Sequence, residues 1–451
     1  MKIQKQVPLT EGPILKSLTG LAVPIMISSF LGTLYNITDM AWIGLLGSKA
    51  VAAVGVGGMY VWLSQGLASL ARMGGQVHVA QCLGRGDKEQ AHRYAKTAVQ
   101  LSILLGLAFA AVSLLFTDPL VAFFKLEGAK TILDAKIYMR ITCGLILFSF
   151  LNLTLTGLYT AQGDSKTPFV ANFIGLLINL LLDPLLILGV GPFPRIEVAG
   201  AAVATVSAQF VVMFVMMVGV FRSKKEENVL KGIRLFEPFS KEELGNICKI
   251  GGPTAIQGMV YCMISMVLTR MVAAFGAEAI ATQRVGGQIE SVSWNTADGF
   301  AAALNAFVGQ NYGAKKMDRV QKGYRISFWT VAIWGALIML AFIIFPGPIA
   351  GVFFHEEKAM EIAISYLIII GFSEAFMCVE LMTIGALSGL GKTKLCSVIS
   401  ITATSMRIPL AMVLSRTSLG LDGIWWALTL TSVAKGIIFY LTFRYQMREK
   451  C

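Results

Sequence analysis

Leu31-Gly-Thr-Leu-Tyr-Asn-Ile-Thr-Asp-Met-Ala-Trp-Ile43 places one carboxylate, Asp39, inside an apolar run that begins near Ile14 and ends near Leu46. That run is long enough to cross a bilayer as a helix, which takes about 20 predominantly apolar residues. An unpaired ionised Asp inside such a span costs about 2.5–3.5 kcal/mol on insertion scales, so it is expected to face a cavity and to have a task there. The fold follows from whether the run is alone.

It is not. Of the 451 residues, 55% are hydrophobic and 14% charged, and the mean hydropathy is +0.69. Soluble chains carry about a quarter charged residues, so the composition is that of an integral membrane protein. Its apolar segments run to about 20 residues, against the roughly 10 alternating residues of a barrel strand, so the spans are helices. Twelve are expected, near 14–46, 50–82, 96–116, 135–161, 168–190, 198–221, 246–274, 279–310, 327–347, 360–388, 395–415 and 422–444. The polar start, Met1–Pro13, precedes an apolar run long enough to span, so no cleavable signal peptide is expected.

The formal charge of +12 invites a nucleic-acid reading until the bases are located. They cluster between apolar runs, at Arg85/Lys88/Arg93/Lys96, Arg222/Lys224/Lys225/Lys231/Arg234, Lys315/Lys316/Arg319/Lys322/Arg325 and Arg444/Arg448/Lys450. With twelve crossings all of these lie on one side, so both termini are expected to be cytoplasmic. No basic stripe interleaved with aromatics remains for nucleic acid. Seven scattered cysteines without a Cys-x-x-Cys pair indicate neither a disulfide framework nor a zinc site. Gly389-Leu-Gly-Lys-Thr393 has Ala386 where a phosphate-binding loop needs Gly, and no strand precedes it. His78, His92 and His355 lie near loops, which argues against a histidine proton relay.

The chain repeats itself. A shift of 229 residues sets Pro24 on Pro253, Gly47 on Gly276, Ala50 on Ala279 and Gly57-Gly58 on Gly286-Gly287. The same shift sets Gly84-Arg-Gly-Asp-Lys88 on Gly313-Ala-Lys-Lys-Met317, and a shift of 228 sets Gly163-Asp-Ser-Lys166 on Gly391-Lys-Thr-Lys394. A parallel six-plus-six duplication follows, with lobes 1–221 and 246–451 joined by a cytoplasmic linker, 222–245. Duplicated bundles of this kind carry solutes by moving one half against the other around a central site.

Asp39 has potential company in its own half. Tyr35 and Asn36 precede it by four and three residues and share its helix face. In span 5, Asn179 and Asp183 are four apart, and Pro184 withholds a backbone donor nearby. Span 6 offers Thr205 after the small residues Gly200-Ala-Ala, which allow close helix contact. Two carboxylates in a low-dielectric site do not both ionise cheaply without a cation between them. Carboxyl, amide and hydroxyl oxygens suit a hard cation, so H⁺ or Na⁺ fits the set. In the second half Glu290, Glu374, Glu380 and Arg407 are intramembrane charges, Arg407 being expected to pair with a carboxylate of span 8 or 10. These four, with Tyr35, Asn36 and Asn152, are the candidates for a substrate cavity.

Thr38-Asp39, Asn179-x-x-x-Asp183-Pro184, Gly200-Ala-Ala-x-Ala-Thr205, Val308-Gly-Gln-Asn-Tyr-Gly-Ala314 and Arg407-Ile-Pro-Leu410 resemble the motifs of the multidrug and toxic compound extrusion (MATE) family over nearly the whole chain. The resemblance implies an all-α polytopic membrane protein, with twelve transmembrane helices in two pseudo-symmetric six-helix bundles around a V-shaped central cavity. It also implies cation-driven export of drugs or metabolites, with Asp39, Asn179, Asp183 and Thr205 as the coupling set, as in the DinF-like branch. Tyr261 stands where NorM-like members carry a Glu, and Asp39 shifted by 229 lands on Leu268. The coupling site is therefore expected in the first lobe alone. The expectation is a monomeric secondary active antiporter of the cytoplasmic membrane, exporting organic cations on H⁺ or Na⁺ entry. It needs no cofactor and no metal beyond a possible Na⁺, and has no nucleic-acid partner. A flippase for a lipid-linked precursor is the second reading. An enzyme is not expected, because no His/Cys/Ser constellation is present.

Overall fold

The structure, a computed structural model, describes residues 6–126, 128–189, 194–223, 228–235, 237–238, 240–354 and 356–448. Among these there are seventeen α-helices and no strand. The first half runs through α1 (Ile14–Gly44), α2 (Ser48–Arg85), α3 (Lys88–Leu115), the short α4 (Thr117–Ala122), α5 (Ala129–Gly144), α6 (Leu147–Ala161), α7 (Lys166–Ile187) and α8 (Glu197–Arg222). The second runs through α9 (Lys241–Ala273), α10 (Ala277–Gly313), α11 (Met317–Ile344), the short α12 (Pro346–Gly351), α13 (Glu357–Gly371), α14 (Glu374–Gly389), α15 (Thr393–Ser405), α16 (Arg407–Leu414) and α17 (Leu421–Arg448).

Each expected span is found as a helix or as a broken helix. Spans 4 and 10 are bent pairs, α5 with α6 at 43° and α13 with α14 at 51°. In both, the first member ends at a glycine, Gly144 or Gly371, a residue with poor helix propensity. The helix α10 is long enough to cross at 37 residues but more polar than the others, carrying Arg284, Glu290 and Asp298. In contrast, α1 and α7 run on as single helices through Pro24 and Pro184. The expected starts of several spans were too late: α3 begins at Lys88 rather than near 96, because Asp87 caps it through the Gln90 backbone N–H at 2.9 Å.

The duplication extends to the backbone. Gly47 and Gly276 share a left-handed φ of 103° and 112°, as do Gly163 and Gly391 at 82° and 80°. Gly86 has φ 81°, and its counterpart Lys315 keeps that region at 59° without the freedom of a glycine. A Cβ built at Gly57 would land on the Tyr138 ring, and one at Gly286 on the Tyr366 ring. Tyr138 and Tyr366 are themselves 228 residues apart.

Two compact units form, one from Met1–Val7 with Ile27–Gly258, the other from Pro8–Met26 with Met259–Cys451. These limits differ from the lobes at 1–221 and 246–451 that hydropathy suggests, because two helices are shared. The start of α9 packs in the first unit, where Ile247 is buried and blocks any side chain at Gly74. The start of α1 packs in the second, where Met26 lies against Gly299 and the Leu9 carbonyl accepts from Asn311 at 3.0 Å. Outward faces are apolar, with Leu104, Leu107, Phe214, Ile333 and Leu337 all exposed. That is what a lipid-facing surface requires.

Candidate functional site

A cavity of about 360 Å³ opens within the first unit. Tyr35, Asn36 and Asp39 reach it from α1, Tyr138 and Thr142 from α5, and Thr205 and Gln209 from α8. The Tyr35 hydroxyl donates to Thr205 Oγ1 at 2.9 Å. The Tyr138 ring sits close to α2 because Gly57 has no side chain. Asp39 is 7% exposed, and its Oδ1 has no hydrogen-bond partner among the described residues. An unsatisfied buried carboxylate oxygen is costly, and it marks a place where a proton or cation is favourable.

Asp183 and Asn179 are buried and do not line the cavity. Their four-residue spacing brings the Asn179 Nδ2 to Asp183 Oδ1 at 3.2 Å, while Oδ2 of Asp183 is unpartnered among the described residues. Asp183 lies on α7, which packs against α8, the helix that carries Thr205. The expected set of Asp39, Asn179, Asp183 and Thr205 thus falls in one region of one unit. Asp39 and Thr205 meet the cavity, and the α7 pair lies away from it.

Asn152 does not line the cavity. Its Nδ2 donates to the Gln209 carbonyl at 2.9 Å and to Gln209 Oε1 at 2.7 Å, so it holds the residue that does. Sequence reading missed Tyr138, Gln65 and Gln209. The repeat was the available signal for Tyr138, since Tyr366 matches it.

The second unit holds charges of its own, with Glu374, Glu380 and Arg407 buried and Glu290 partly buried. Tyr366 donates to Glu290 and Ser293 donates to Glu374, whose Oε1 is left without a partner among the described residues. Glu290 and Glu374 fall on Val61 and Ile146 of the first half, which line the cavity there. Arg407 was expected to pair with a carboxylate, and the structure corrects this. Its Nε and Nη2 donate to Thr431 and Ser432 of α17 at 3.0 and 2.9 Å, and Glu290 is reached only at longer electrostatic range. The buried ion pair belongs instead to Glu380 and Lys435, at 2.8 Å. Lys435 was missed, although Thr431, Ser432 and Lys435 lie at helical spacing on one face. Arg270 and Arg284 are exposed.

His78 and His92 are structural ties. His78 meets the Asn246 carbonyl at 3.2 Å and stacks on Tyr94, and His92 meets the Val229 carbonyl at 2.7 Å. His355, Lys224, Lys225 and Lys450 lie outside the described residues.

The family model described as MatE matches twice, over residues 24–185 and 253–413. The two matches begin 229 residues apart and end 228 apart, the offset of the internal repeat. A "Probable multidrug resistance protein NorM" of Thermotoga maritima is 29% identical over 456 residues, covering 98% of this chain and 95% of that protein. A "Probable multidrug resistance protein YoeA" of Bacillus subtilis is 26% identical, over 96% and 94% of the two chains. The solved structure "Crystal structure of MATE in the straight conformation" superposes with a TM-score of 0.90 at 24% identity, covering 99% of each chain.

Proposed function

This chain belongs to the MatE family, whose members are membrane transporters and not enzymes, and we propose that it is a secondary active antiporter exporting drugs or toxic metabolites. In this reading H⁺ or Na⁺ enters from outside and binds at Asp39, with Asn179, Asp183 and Thr205 completing the site. Substrate, an organic cation, leaves in exchange. The observation that carries the reading is the Asp39 carboxylate, buried at the wall of the first-unit cavity with an unpartnered oxygen. Buried intramembrane acids mark ion and proton pathways.

Coupling requires that the cation and the substrate favour different arrangements of the protein. A cation at Asp39 removes the cost of the bare charge and lets its surroundings close. Without the cation that cost returns, and an organic cation can take its place. Termini and basic loops are cytoplasmic in this reading, by the positive-inside pattern, in the cytoplasmic membrane.

Proteoliposomes loaded with an organic-cation dye test the proposal directly. An imposed proton gradient and an imposed Na⁺ gradient are applied in separate arms, and one of them is expected to drive dye movement. Asp39→Asn is expected to abolish that movement with normal expression and an unchanged elution profile. Undiminished flux in the variant sinks the role given to Asp39. A flippase for a lipid-linked precursor is the alternative, and Arg407 is the buried base that favours it. The second buried base, Lys435, is already neutralised by Glu380.

A further inference from the structure

A groove of about 520 Å³ in the second unit lies between the beginning of α11 and the end of α17. Arg325 contributes from α11, and Arg444 and Arg448 from α17. None of the three has a carboxylate within ion-pair distance among the described residues, and the lining contains neither Asp nor Glu. The floor is aromatic: Tyr324 stacks on Phe443 with centroids 3.6 Å apart, and Arg444 lies over the Tyr440 ring at 5.8 Å. Farther along the same helices Ile333, Leu337, Ile437 and Leu441 are exposed, an apolar surface continuous with the groove in sequence.

The first unit shows what an equivalent surface does when it is filled. Lys96 of α3 corresponds to Arg325 at the 229 shift, and Gln100 to Trp329, which lines the groove. Lys96 pairs with Glu237 of the inter-lobe linker at 2.8 Å. Gln100 donates to the Leu235 and Glu237 carbonyls at 2.9 and 2.7 Å, and Lys231 reaches the Phe221 and Ser223 carbonyls at the end of α8. In the first repeat, then, a segment of the chain covers this face, and its Glu237 pairs with the base there. The second repeat has more bases on the face and no described segment over it.

We propose that the groove between α11 and α17 holds an anionic phospholipid, its phosphate among Arg325, Arg444 and Arg448 and its acyl chains along the exposed apolar faces below. The charge complementarity favours it: an Arg fork binds phosphate in a geometry that Lys does not reproduce. Basic pockets between spans at the end carrying the positive charges are a general form of lipid headgroup recognition. The aromatic rings supply the interfacial contact that amphipathic lipid tolerates and a soluble anion does not need. The proposal concerns this groove alone and stands independently of the export reading.

Native mass spectrometry of the intact protein in detergent tests it, with dioleoylphosphatidylglycerol and dioleoylphosphatidylcholine as probes. Retention of the anionic lipid is expected to exceed that of the zwitterionic one by about tenfold. The triple variant R325Q/R444Q/R448Q is expected to bring the two to the same level. R325K/R444K/R448K, which keeps the charges, is expected to recover part of the preference, which separates loss of charge from loss of fold. Inorganic phosphate in large excess should leave the adducts in place. Equal retention of both lipids, an unchanged triple variant, or displacement by phosphate alone would each overturn the assignment. The measurement reads neither flux nor orientation, so it fails or succeeds apart from the function proposed above.

Discussion

Glu380 and Lys435 bring opposite charges into the interior of the second unit, each 5% exposed, and satisfy one another at 2.8 Å. Such a pair gives little net stability over apolar residues of the same volume, but removing one partner strands the other. Lys435→Met alone is expected to destabilise the protein by about 3–5 kcal/mol, and Lys435→Met with Glu380→Leu to restore most of that. Thermal unfolding in detergent reads both. A double variant as unstable as the single would show that the site depends on the charges themselves. At Asp183 the relevant contact is the Asn179 amide, which holds one carboxylate oxygen and leaves the other unpartnered. Asn179→Leu removes a donor that favours the empty, ionised carboxylate, so with H⁺ as the coupling ion it is expected to lower the cation concentration for half-maximal flux by about tenfold, while expression is unchanged. The loss of one hydrogen bond to a charged group is worth about 1.5–3 kcal/mol. Half-maximal flux at the native cation concentration would remove Asn179 from the set.

Helix packing rather than polarity decides the second tier of effects. The Tyr138 ring occupies the space a side chain at Gly57 would need, and it also lines the cavity beside Asp39. Gly57→Val is therefore expected to displace Tyr138 and to reduce flux strongly, at an overpacking cost of about 1–3 kcal/mol. Gly57→Val with Tyr138→Ala should recover stability without recovering flux, measured by unfolding and dye transport in parallel. The linker is tied down differently, by exposed polar contacts. The Lys96 ammonium holds the Glu237 carboxyl below its ordinary range, chiefly by hydrogen bonding. A depressed carboxyl contributes stability above its unfolded pKa and loses it as pH falls through the folded value. Hydrogen exchange over 228–238 should accelerate in Glu237→Gln at neutral pH and converge with the native chain in acid. Equal rates at neutral pH would show that Gln100 and Lys231 hold the segment unaided.

The two halves share a backbone plan and differ in their charges. Asp39 and Asp183 have Leu268 and Ala411 at the shifted positions, while Glu290 and Glu374 have Val61 and Ile146. If the coupling ion binds only in the first unit, Glu374→Gln should change which dyes are carried without changing the driving ion. Flux under separate H⁺ and Na⁺ gradients measures this, and a variant that no longer responds to the native ion would place coupling in both halves. The twelve spans, the duplication and the first-half acids were legible in the sequence. Hydropathy over about 20 residues is a local property, and a constant offset survives wherever turns demand the same φ, as at Gly47 and Gly276. The i, i+4 spacing likewise made the Asn179–Asp183 contact readable. The exchange of the first half of α1 into the second unit, the Glu380–Lys435 pair and the supporting role of Asn152 came only from the tertiary structure. Each depends on which faces of distant helices meet. A sequence that is apolar on nearly all sides, because lipid covers the outside and packing fills the inside, carries little record of that choice.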